Sequence, residues 1–166
     1  MDAKILATRW LVIVAVTFVV AGALVLGAFG WLGTRQGDTE TATRIIALGL
    51  ALAGCLVVAA GLATILGRTE ASTGGAIAKA VLTSMVLMPA PLLFIFITSV
   101  VNGDYGPASG AGELVTFWLF LVIPAAVGGA LIALAARKVG LWVGVALALA
   151  FLAVVARLWL MFAFGI

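Results

Sequence analysis

Five apolar runs, each about long enough to cross a bilayer, fill nearly the whole chain, and the only charged side chain deep inside any of them is Arg157. They extend approximately from Trp10 to Trp31, Ile45 to Leu66, Ala80 to Val101, Leu114 to Ala136 and Leu141 to Phe164. At roughly 1.5 Å per helical residue each reaches about 30 to 36 Å, enough for a hydrocarbon core of about 30 Å. Strands would need short runs bounded by turn signals, or alternating polarity, and these runs show neither. In lipid each helix satisfies its own backbone hydrogen bonds, so helices are the expected form. The expected fold is an all-α membrane protein: a bundle of five transmembrane helices forming one polytopic domain over residues 1–166.

Composition points the same way. With 66% hydrophobic and 9% charged residues, the chain has too little polar surface to cover a water-soluble globule. The stretches between runs, around Gly33–Arg44, Gly67–Lys79 and Asn102–Glu113, leave no room for a separate soluble domain. The first run continues past Ala21-Gly22-Ala23, a small-residue triplet that could serve a signal peptidase, to Phe29 and Trp31, which suits a retained helix. All five tryptophans, Trp10, Trp31, Trp118, Trp142 and Trp159, fall near proposed ends, the pattern of an interfacial belt.

Lys4, Arg9, Arg68, Lys79, Arg137 and Lys138 flank one set of ends, and only Arg35 and Arg44 flank the other. The positive-inside rule then puts the N-terminus in the cytoplasm and the C-terminus outside. The Ala, Gly, Val and Leu richness and the excess of Arg over Lys suit a bacterial cytoplasmic (inner) membrane. The basic residues are scattered over helix ends rather than clustered, so nucleic acid is not an expected partner. The expected partners are the bilayer and another membrane protein or a second copy.

Helices in lipid associate through small residues and interhelical hydrogen bonds. Ala47, Ala51, Cys55, Ala59, Ala63 and Gly67 recur every fourth residue and form a packing face on the second run. Intramolecular packing is the leading use of this face, and a subunit interface the alternative. Cys55 reads as one more small packing residue. The short turn Arg137-Lys138-Val139-Gly140 makes the fourth and fifth runs an antiparallel hairpin.

Two features could carry function. Pro89 and Pro91 lie at the centre of the third run and Pro124 at the centre of the fourth. Each proline withholds a backbone donor, freeing the carbonyls of Met85, Leu87 and Phe120. With the hydroxyls of Thr83 and Ser84 these could form a midplane site or hinge for a cation, water or polar solute, against the simpler expectation of a kink that shapes the fold. Arg157 lies roughly 24 Å from the cytoplasmic end of its run, in the outer leaflet. It is expected either to pair with Glu113 or Asp104 or to extend toward the interface.

The chain has no histidine and no carboxylate inside a run, which removes the commonest metal ligand and general base and any relay of intramembrane acids. No catalytic residue, cofactor or metal site is expected. Met85 and Met88 read as core packing rather than copper ligands. The sequence therefore points to a non-catalytic membrane protein, an accessory or scaffolding subunit of a membrane complex or a small homo-oligomer. The alternative is a small transporter or channel using the proline-broken helices.

Overall fold

The computed structural model describes residues 3–32, 38–91, 93–94 and 107–164, with side chains over 8–27, 46–91, 93–94, 122–151, 153–154 and 157. Among these residues it is all helical, with no strand. The five helices are α1 (Ala3–Leu32), α2 (Asp38–Thr69), α3 (Thr73–Leu87), α4 (Pro107–Lys138) and α5 (Leu141–Phe164). Among the described residues two stretches are long and apolar enough to cross a membrane, Thr8–Gly27 and Ile46–Thr69.

The helices outrun the apolar runs. α1 begins at Ala3 and α2 at Asp38, because a helical backbone needs no apolar side chain to continue. α3 does the opposite and stops at Leu87, with a turn over Met88 and Pro89 before helical backbone resumes at 90. Pro89 and Pro91 supply no N–H to the carbonyls of Met85 and Leu87, so two bonds of the ladder are missing at the break. The remainder of the expected third span, residues 95–101, lies outside the described residues. α4, by contrast, continues unbroken through Pro124, whose ring sits on an exposed position. One proline thus leaves this helix whole, whereas its neighbour is interrupted over Met88 and Pro89.

Contacts fix the directions. Ala21 packs in one cluster with Leu52 and Leu56, and Val25 in another with Leu48 and Ala51, so α1 and α2 are antiparallel. Gly129 abuts Ser84 and Ala80, while Ala125 joins Leu87 and Met88, so α3 and α4 are antiparallel. Gly67 abuts Ala133 while Leu56 clusters with Ala125, so α2 and α4 run parallel. Gly144 meets Ala136 and Gly128 meets Phe151, so α4 and α5 form an antiparallel hairpin. The order is therefore up-down throughout, and α2 touches each of the other four helices. The hairpin turn needs its glycine: Gly140 has φ +148°, and its N–H reaches back to the Ala135 carbonyl at 3.1 Å.

The interior is rich in small residues, with leucines such as Leu52, Leu56 and Leu87 filling between them. Ala51, Cys55, Ala59 and Ala63 are each at most 3% exposed, covered by the chain's own helices, while Ala47 is half-buried. Glycines allow the closest approaches: a Cβ on Gly67 would collide with the Ala133 carbonyl, and one on Gly129 with the Ser84 hydroxyl and the Ala80 carbonyl. Their Cα–H groups consequently face oxygen atoms across the helix contact, a weakly favourable arrangement. Large aliphatic side chains lie mostly outside. Val19 and Leu50 are each 66% exposed, and Leu11, Val16, Val57, Leu131 and Leu149 all exceed half exposure.

Candidate functional site

Three places in this bundle bear on the residues singled out by the sequence. The first is the level of the prolines. Leu87, Met88 and Ala125 share a cluster, which brings Pro89 beside Pro124 in depth, as the sequence positions suggested. Thr83 and Ser84, one turn below, are 0% and 1% exposed but face different neighbours. The Trp10 indole Nε1 donates to the Thr83 Oγ1 at 2.8 Å, and that hydroxyl donates in turn to the Lys79 carbonyl at 2.7 Å. Thr83 is therefore committed to holding α1 on α3. Ser84 points toward α4 against Gly129, and its Oγ has no hydrogen-bond partner. Of the two hydroxyls, only that of Ser84 keeps unused bonding capacity.

The second place is the end where α2 and α4 finish and α3 and α5 begin. Arg137, in the last turn of α4, donates from Nη1 to the Glu70 carbonyl at 2.7 Å and from Nη2 to the Ala71 carbonyl at 3.0 Å. The guanidinium fork thereby serves carbonyls just past the end of α2, which have no helical donor of their own. The Glu70 carboxylate accepts from Lys79 Nζ at 2.7 Å. Ser72 caps α3, its Oγ accepting from the Gly75 N–H at 3.0 Å. Sequence reasoning had used Arg137 and Lys79 only as topological charges. Their pairings link residues far apart in the chain, and no local pattern announces them.

The third is Arg157, exposed on α5. The register of Gly144 on Ala136 and Phe151 on Gly128, carried forward, sets Arg157 level with Ile123. Glu113 stands ten residues further along α4, about 15 Å of helix. The side chain of Glu113 and all of Asp104 lie outside the described residues, and so does the expected pairing. Among the described residues no group of three or more His, Cys, Asp or Glu is placed to hold a metal ion.

These features define an all-helical up-down bundle with a small-residue core and a polar latch at one end. No protein-family model, curated protein or solved structure matches the chain.

Proposed function

We propose that the chain is a five-span integral membrane protein, N-terminus cytoplasmic and C-terminus outside, that acts by association rather than catalysis, as an accessory or scaffolding subunit of a complex in a bacterial cytoplasmic membrane. The observation that carries this reading is the large exposed aliphatic surface: Val19, Leu50, Leu149, Ile46 and Val57 are each more than half exposed, while much of the core is alanine. In water such a surface would cost about 25 cal/mol for each Å² of apolar area left exposed, whereas lipid tails accept it freely. The convergence of Arg9, Arg68, Lys79, Arg137 and Lys138 at one end of the up-down bundle supports the orientation. The small face of α2 is already occupied internally, which favours association through other helices.

Topology is tested by single cysteines placed at Ser72, Lys138 and Thr39 in a Cys55→Ala background and labelled with an impermeant maleimide. Labelling of Ser72 and Lys138 only after access to the cytoplasmic side, and of Thr39 from outside, is the expected result. Labelling of Lys138 in intact cells refutes the orientation. For association, mild-detergent purification from native membranes is expected to yield a stoichiometric partner, and a lone monomer counts against it.

A second reading is a small transporter with a polar point at Ser84. The buried hydroxyl without a partner, beside a proline-interrupted helix, favours it. Against it, Ser84 is pressed directly onto Gly129, leaving no gap between α3 and α4 for a solute.

A further inference from the structure

Where alanines line up at helical spacing on α2, a neighbouring helix covers them. On α5 a related spacing occurs in Ala146, Ala150 and Ala153, followed by Arg157, and all four are exposed. Residues four, three and four apart share one helix face, so α5 presents a shallow groove ending in a guanidinium. Taken with the membrane reading proposed above, on which this inference rests, that cation stands in hydrocarbon about 10 Å short of the helix end at Phe164. A charge there is strongly favoured by an anionic partner at its own depth.

We infer that this face of α5 docks a transmembrane helix of a different protein, one carrying a carboxylate level with Arg157. Charge complementarity selects the occupant. The chain's five apolar runs contain no Asp or Glu, so a second copy brings no acid to this depth. Two copies meeting through this face about a twofold axis along the membrane normal would instead oppose Arg157 to Arg157. A lipid phosphate resides at the interface and gains nothing from the alanine groove. A helix gains close backbone approach there.

The test uses the full chain reconstituted in phosphatidylcholine vesicles with a fluorescent Leu/Ala helix of about 21 residues bearing one Glu in its outer third, and a Gln twin of the same helix. Resonance energy transfer reports binding. The Glu helix is expected to bind about threefold to tenfold more tightly than its twin, and Arg157→Gln to abolish the difference. Ala150→Leu, which fills the groove and keeps the guanidinium, is expected to weaken both helices. Circular dichroism checks that each variant keeps its helices. Equal binding of the two helices, or a preference that survives Arg157→Gln, overturns the inference. So does Arg157-dependent transfer between labelled copies of the protein, or loss of the preference when phosphatidylglycerol replaces phosphatidylcholine, which identifies a headgroup as the occupant. If docking fails while thiol labelling still maps five spans, only the docking face falls. If the mapping fails, the membrane reading falls first.

Discussion

Gly129→Ala puts the close-packing argument at risk most directly. The added methyl would meet the Ser84 Oγ, the Ala80 carbonyl at 2.8 Å and the Ser84 Cβ at 3.1 Å. The serine hydroxyl has no hydrogen bond to hold it and can rotate away. The carbonyl belongs to the helix ladder and cannot, so α3 and α4 must separate by a few tenths of an ångström. That separation loosens the cluster of Ala80, Ile132 and Ala133 just below. Overpacking of this kind costs about 1–3 kcal/mol. Removing a glycine from a helix returns about 0.5–1 kcal/mol, so a net loss of up to about 2.5 kcal/mol is expected, and Gly129→Ala should fall about 1–3 kcal/mol below a glycine-to-alanine change made in open space. Gly54→Ala and Gly61→Ala supply the matched control, because nothing lies within 4 Å of a Cβ at either position. Both are expected to be neutral or slightly stabilising. The assay is reversible unfolding in mixed micelles followed by far-UV circular dichroism, all variants under one detergent condition. Ser84→Gly on the Gly129→Ala background should recover only part of the loss, since the Ala80 carbonyl stays in place. If Gly129→Ala unfolds at the same detergent fraction as Gly54→Ala, close backbone contact is not what holds α3 to α4.

Thr83→Val keeps the shape of the side chain and removes the acceptor for Trp10, so it is expected to cost about 1–3 kcal/mol by leaving the indole N–H unpaired; Trp10→Phe on the same background should remove most of that penalty, read as a double-mutant cycle by micellar unfolding. Arg137→Met strands the Glu70 and Ala71 carbonyls and is expected to raise amide exchange selectively around residues 70–75, with Arg137→Lys recovering less than half, since a point charge cannot serve both oxygens. Glu70→Gln, at an ion pair whose side chains are 29% and 19% exposed, is expected to lower stability by less than about 1 kcal/mol, a difference that shrinks in high salt. Gly140→Ala is expected to cost about 1 kcal/mol, because its φ of +148° suits only glycine.

The helices were legible because their driving feature is local: long apolar runs, with proline pairs to stop them and a glycine turn to reverse them. At Pro89 and Pro91 two donors are missing close together, and α3 gives way to a turn over Met88 and Pro89. Pro124 alone did not end its helix, because its ring faces outward and the turns on either side are intact. The small face of α2 could be read from spacing, but what covers it could not, as that depends on which helices meet. Pairs such as Trp10 with Thr83 and Arg137 with Glu70, separated by 73 and 67 residues, arise only from the tertiary arrangement. Thr83 illustrates the limit well. The same hydroxyl that looked available for a solute is spent on an indole from another helix.

The grip of Arg137 on the end of α2 also bears on how the molecule is made. The corner between α2 and α3 leaves the synthesising machinery two helices ahead of the arginine that completes it. Until α4 arrives, the Glu70 and Ala71 carbonyls must rely on water, and the first three helices form an unfinished intermediate. A stalled nascent chain ending before Arg137 should therefore be open at this corner to proteases, and arrival of the fourth helix should close it.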